Sequence, residues 1–191
     1  LPGMDAEFSA LLRKEMEAYG VKFHLNTKVT AVKKGAVVFE KDGKEGENKA
    51  EKLLVSVGRK VNVEGLGLEN IGVEFSLKGI KIDERCRTNI PNVYAAGDVT
   101  GFSLLAHTAS REAEVAVNNM AGERDRMRYN AIPGVVYTLP EYSGVGITEE
   151  KAKEKGLDYN VLKLPMAYAG RFIVENEGGS GMVKIITGKK Y

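Results

Sequence analysis

An α/β fold, passing into α+β toward the carboxyl end, is predicted by three observations in this sequence. Helical and strand-like apolar patterns alternate from Asp5 to Val57, a short apolar run stops at Gly97-Asp98, and beyond a polar linker from Met127 to Pro133 short strands dominate. Residues 5–19 place Phe8, Leu11, Leu12, Met16 and Tyr19 at helical spacing. They open with acidic Asp5 and Glu7 and close at Gly20, which predicts an amphipathic helix packed on a sheet. Residues 21–25, 28–32 and 37–39 read as strands, and residues 41–49 as a polar loop. Leu53-Leu54-Val55-Ser56-Val57 is a continuous apolar run, the pattern of a strand buried on both faces, and it ends at Gly58-Arg59.

The run Val93-Tyr94-Ala95-Ala96 is predicted to be a short buried strand. Gly97 after it lets a backbone approach a ligand closely, and the Asp98 carboxylate can accept hydrogen bonds from sugar-like hydroxyls. A helix follows over residues 104–120, with Gly122 near its end, and its amino terminus offers unpaired N–H groups and partial positive charge just downstream of Asp98. Farther on, residues 135–138, 141–147, 161–164 and 182–186 read as strands. Residues 149–155 read as a short helix capped by Thr148 and stopped by Gly156. Gly144-x-Gly146 lacks the third glycine and the strand-to-phosphate setting of a dinucleotide loop.

Composition excludes several classes of function. With 43% hydrophobic residues and a net charge of +2, the 191-residue chain is neither a disordered acidic segment nor a basic nucleic-acid binder. No apolar run reaches membrane-span length, and Leu-Pro-Gly-Met-Asp has neither the basic nor the apolar region of a signal peptide, so a soluble, cytoplasmic protein is expected. The single cysteine, Cys86, excludes an internal disulfide and a Cys-x-x-Cys site, and two histidines, His24 and His107, make no multi-histidine metal centre. Cys86 lies between Arg85 and Arg87, which can lower a thiol pKa, on a segment expected to be extended.

The eleven residues from Thr88 to Asp98 resemble the second FAD motif of the pyridine nucleotide-disulfide oxidoreductases, Thr-x-x-Pro-x-(apolar)-Tyr-Ala-x-Gly-Asp, with Leu104-Leu105-Ala106-His107 following at the family's distance. The resemblance extends through Val57-Gly58-Arg59, Leu66-Gly67-Leu68-Glu69 and Tyr137-Thr138-Leu139-Pro140-Glu141, where the family more often has His-Pro-Glu. It implies an FAD site in which Asp98 holds the ribityl chain, Gly97 permits close approach, and Leu104, Leu105, Ala106 and His107 contact the flavin. His107 is given a contact role only. The resemblance also implies an NAD site touched by Gly58 and Val29, although Val29 reads equally well as a core valine. No catalytic residue and no metal ligand is assigned.

Within the family the dihydrolipoamide dehydrogenases fit best, with mercuric reductase and related NADH-dependent flavoprotein disulfide reductases sharing most of these features. The implied parent oxidises dihydrolipoamide of the 2-oxo acid dehydrogenase or glycine cleavage complexes through FAD to NAD, as a homodimer. Three partial domains are expected: residues 1–88 from an NAD-binding domain, 89–127 from a returning FAD-binding segment, and 128–191 from the first half of a dimerisation domain. The family's Cys-x4-Cys redox pair, its Gly-x-Gly-x-x-Gly motifs and its carboxyl-terminal His-Pro segment are absent from these residues. The chain therefore reads as an inactive fragment. A reading from another class, a non-catalytic module that self-associates through its interface strands, stands beside it.

Overall fold

The computed structural model describes residues 1, 3–176 and 179–189. In chain order they form helix α1 (Ala6–Ala18), strands β1 (Lys28–Lys33), β2 (Ala36–Lys41), β3 (Lys44–Lys49), β4 (Phe75–Ser76) and β5 (Gly79–Ile80), and helix α2 (Ala106–Met120). Strands β6 (Gly134–Val136) and β7 (Tyr142–Gly144), helix α3 (Glu149–Glu154), strand β8 (Tyr159–Pro165), helix α4 (Gly170–Glu175) and strand β9 (Met182–Gly188) follow. Two compact units result: residues 22–129 form one, and residues 1–21 with 130–191 form the other. None of the described helices is long and apolar enough to cross a membrane.

In the unit of residues 22–129, β1, β2 and β3 make an antiparallel meander, with Lys33 opposite Ala36 and Lys41 opposite Lys44. Residues 41–49, expected as a loop, are therefore largely hairpin. Asp42 and Gly43 take φ of 51° and 74°, the paired positive angles of a two-residue turn whose twist matches the strands it joins. The buried core lies elsewhere, around Val61, Val63, Val73 and Ile80, and continues into Cys86, Val115, Ala116 and Met127. Helix α2 contributes Thr108, Glu112, Val115 and Ala116 to this interior, all on one face at spacings of three and four.

Three expected strands do not form. Residues 21–25 are irregular, and the 93–96 run reduces to a single antiparallel bridge between Arg87 and Tyr94. Residues 53–57, predicted as a doubly buried strand, are unpaired and exposed, with Leu54 88% and Val57 93% accessible. The physical reason is common to all three. A strand satisfies its N–H and C=O groups only through neighbours, and no described strand lies beside these runs.

In the other unit, α1 begins where the Asp5 side chain accepts a hydrogen bond from the Glu7 N–H at 3.0 Å, and Phe8 stacks on Tyr142 with ring centres 5.0 Å apart. Of the predicted apolar stripe only Leu12 is fully buried, and Leu11 and Tyr19 face solvent. Thr148 caps α3 as expected, accepting from the Lys151 N–H at 3.3 Å. Strands β8 and β9 pair along their whole length, Tyr159 opposite Gly188 through Pro165 opposite Met182. Between them sits α4, which the sequence reading did not assign. Lys184 of β9 is buried and holds three carboxylates: Glu149 at 2.7 Å, Asp5 at 2.9 Å and Glu7 at 3.2 Å.

Candidate flavin site around Gly97 and Asp98

The Thr88 hydroxyl opens this segment, donating to the Val93 carbonyl at 2.9 Å and accepting from the Ile90 N–H at 3.1 Å, so a side chain closes the turn that Pro91 stiffens. The Tyr94 bridge then brings the chain to Gly97, whose φ of 86° and ψ of −162° lie in a region essentially restricted to glycine. Asp98 starts a short 3-10 turn through Thr100, and its carboxylate is exposed. That turn presses on the β4–β5 hairpin so closely that a Cβ at Gly101 would lie 1.7 Å from the Lys78 carbonyl oxygen.

Behind Gly97 stands Glu112, a residue the sequence reading did not single out. It is fully buried. One carboxylate oxygen accepts from the Gly97 N–H at 2.6 Å. The other accepts from the Tyr129 hydroxyl at 2.7 Å and lies 3.3 Å from the Thr100 hydroxyl, which also donates to the Gly97 carbonyl at 3.0 Å. A signal was present in the sequence. Glu112 falls on the helix face of Thr108, Val115 and Ala116, and an acidic residue in an apolar stripe needs a partner.

Helix α2 starts from Leu105, which adopts extended backbone angles and whose side chain makes no capping hydrogen bond. The Ser103 and Thr108 hydroxyls, 2.9 Å apart, fix the approach of the chain to the helix. Gly58 has φ of 122°, and its neighbour Arg59 donates from the guanidinium to the Leu104 carbonyl oxygen, tying the Val57-Gly58-Arg59 stretch to the entrance of α2. The structure thus brings Gly58, Gly97, Asp98 and residues 104–107 into one unit. Val29 lies on β1, opposite Phe39 beside a β-bulge, with its side chain exposed, which removes the reading of a core valine.

Cys86 corrects an expectation. It is not on an extended segment but in a turn at φ 61°, wholly buried, with its thiol pushed up to about 12. Burial is the largest cause and the Glu112 charge the next. The flanking arginines do not offset this, because Asp83 holds Arg87 at 2.8 Å. Tyr129, stacked on Phe102 at 4.6 Å, is also shifted upward, first by burial and then by its hydrogen bond to Glu112. Among the described residues no cluster of three or more His, Cys, Asp or Glu side chains could hold a metal ion.

Comparison with known proteins matches residues 1–113 to the family described as pyridine nucleotide-disulphide oxidoreductase, and residues 132–191 to the dimerisation domain of the same family. The chain belongs to the pyridine nucleotide-disulphide oxidoreductases. It is 41% identical to the dihydrolipoyl dehydrogenase of Bacillus subtilis over 196 aligned positions, covering 100% of this chain and 42% of that protein. It is 40% identical to the mitochondrial dihydrolipoyl dehydrogenase of Bos taurus, covering 96% and 38%. Among solved structures it resembles LpdA from Mycobacterium tuberculosis, with a TM-score of 0.85, 27% identity and coverage of 99% and 42%. It also resembles RclA, an HOCl-induced flavoprotein disulfide reductase from Escherichia coli, with a TM-score of 0.83, 28% identity and coverage of 100% and 44%. The chain spans about two fifths of the length of the relatives it matches.

Proposed function

We propose that this chain is the part of a dihydrolipoamide dehydrogenase that closes one side of the FAD site and begins the dimer interface. The observation that carries the reading is the Gly97–Asp98 turn, held from behind by Glu112 of α2. The Asp98 carboxylate binds ribityl hydroxyls. Gly97 keeps the backbone free of a Cβ beside them, and Leu104, Leu105, Ala106 and His107 line the flavin edge, with the first-turn N–H groups of α2 stabilising negative charge there. FAD held by these residues would supply two-electron transfer between a dithiol such as dihydrolipoamide, which would become its cyclic disulfide, and NAD, which would become NADH with release of a proton. Gly58 and Val29 are the NAD contacts of the proposal. With one cysteine, these residues do not themselves carry the dithiol step.

By role, residues 1–88 belong with NAD, 89–127 with FAD and 128–191 with the dimer. This division differs from the division into compact units, because α1 packs with the strands of residues 130–191. The relatives' names and the dimerisation domain support a homodimer serving a 2-oxo acid dehydrogenase or glycine cleavage complex. The cytoplasm is the proposed compartment, although a mitochondrial relative shows that the family also works in organelles. The likeness to RclA supports a second reading, reduction of a different disulfide with the same flavin contacts.

The test is the flavin absorbance of purified protein after incubation with FAD and gel filtration, compared with Asp98→Ala. Co-eluting flavin that the substitution removes supports the site. Equal flavin in both proteins removes Asp98 from it, and flavin in neither means that these residues do not retain FAD without the family's pyrophosphate-binding motif.

A further inference from the structure

Glu112 is the least expected group in the interior. It is a fully buried carboxylate whose described partners are all neutral: the Gly97 N–H and the Tyr129 hydroxyl donate to it, and the Thr100 hydroxyl, shared with the Gly97 carbonyl, lies 3.3 Å away. A carboxylate in such a place must be wrapped in hydrogen bonds to remain there, and both of its oxygens are. One oxygen does something the other does not. It takes the N–H of the single residue whose backbone is confined to glycine-only angles, immediately before Asp98. The 2.6 Å contact is the short, strong kind made when an acceptor is charged.

From this geometry we infer that Glu112 is a positioning residue for the cofactor. By holding the Gly97 amide, it fixes the peptide that aims the Asp98 carboxylate outward and keeps the 98–100 turn in register with the start of α2. The inference rests on the flavin reading above and assigns to it a residue that does not touch the ligand. Thr100 supports the same turn from its far end, since its hydroxyl bridges the Gly97 carbonyl and Glu112. Gly97 is thus held at its N–H by Glu112 and at its C=O by both the hydroxyl and the N–H of Thr100, while the run before it bonds through Val93 and Ala95 to the backbone of Thr88 and Cys86. Tyr129 has a different part. It satisfies the second carboxylate oxygen and stacks on Phe102, and it makes none of the described hydrogen bonds to Gly97.

These roles separate experimentally. The full-length flavoprotein carrying these residues is stripped of flavin, and FAD is titrated back while melting temperature and Gly97 amide hydrogen exchange are followed. Glu112→Ala is expected to weaken FAD binding at least about tenfold, as loss of a charge-assisted hydrogen bond at the site requires, and to speed exchange at Gly97. Glu112→Gln is expected to recover binding to within about threefold, because its amide oxygen still accepts from Gly97 and its amide nitrogen can donate to the Tyr129 oxygen. Tyr129→Phe is expected to lower the melting temperature and leave FAD affinity within about threefold. Equal losses of affinity in Tyr129→Phe and Glu112→Ala, tracking stability alone, overturn the inference, as does wild-type affinity in Glu112→Ala. If Glu112→Ala does not fold, Glu112→Asp decides, since it keeps the charge and withdraws it from Gly97. Weakened FAD with near-normal melting then supports positioning, and unchanged affinity refutes it. Asp98→Ala separates the two levels: if it binds FAD normally, the flavin reading itself fails, whatever Glu112 does.

Discussion

The two compact units bury one charged centre each, and they do so in opposite ways. The unit of residues 22–129 encloses the Glu112 carboxylate among the neutral donors of Gly97, Thr100 and Tyr129. The other encloses the Lys184 side chain, 4% exposed, with its ammonium among the carboxylates of Asp5, Glu7 and Glu149. Neutral donors give direction: each fixes one bond, and together they shape a turn. Opposite charges give cohesion: they pull α1, α3 and β9 to one point without specifying a backbone angle. The first arrangement suits a ligand site, the second a scaffold.

The largest expected effect concerns how dry the first interior is. The Cys86 thiol is raised from 9.0 to about 12, so near neutral pH its thiolate fraction falls about a thousandfold, and burial adds to that. Native protein at pH 8 should leave Cys86 unmodified by a maleimide or a disulfide reagent over hours, with full reaction in denaturant. Rapid labelling of the folded protein would show that water reaches this core.

Next in size, Lys184→Met should destabilise the second unit by about 3 kcal/mol, because three carboxylates lose a shared buried partner. Hydrogen exchange read by mass spectrometry should show β8 and β9 losing protection and α2 keeping it. Loss spread evenly over both units would mean that they unfold as one.

Acid should imitate that substitution. Hydrogen bonds from Lys184 and Lys153 lower the Glu149 carboxyl from 4.5 to about 2. Asp5 is lowered too, burial pushing it up but the Lys184 hydrogen bond and charge outweighing that. A lowered folded pKa makes the contribution complete above pH 4.5 and progressively lost toward pH 2. For Lys184 burial pushes downward but the carboxylates prevail and raise it above 10.5, so its contribution is complete below that pH and lost at higher alkalinity. Exchange protection in β9 should therefore fall between pH 4.5 and pH 2 in the wild type and change little in Lys184→Met. The smallest effect is at a helix end: Thr148→Ala should cost about 1 kcal/mol in thermal denaturation by removing the cap of α3 beside this cluster.

What the sequence disclosed depended on how local the determining physics was. The cap at Thr148, the glycine stop of α1 and the Gly97-Asp98 turn were legible because a side chain or a missing Cβ acts within a few residues, whereas Asp5, read as an acidic first residue of the helix, is its cap. The β2–β3 hairpin carried a local signal as well, Asp42-Gly43, but its polar composition masked it. Residues 53–57 failed for the converse reason: their apolarity reports what a strand would bury, not whether a neighbour is there. Of the proposed flavin site, Asp98 and the start of α2 come from the motif. Glu112 does not, since its role is set by Tyr129 and Gly97, 17 and 15 residues away, converging on one helix face.

Asp5 and Lys184 stand 179 residues apart, yet they meet in one buried ion pair. During synthesis at ordinary ribosomal rates of about 5–20 residues per second, α1 leaves the exit tunnel on the order of 10 to 40 seconds before β9 does. Throughout that interval Asp5, Glu7 and Phe8 wait for the partners this chain supplies, Lys184 and Tyr142, while the local meander of β1 to β3 can close at once. Of these residues a helix made early is thus among the last to be secured, and nascent chains stalled before Lys184 should hold α1 without its buried cation.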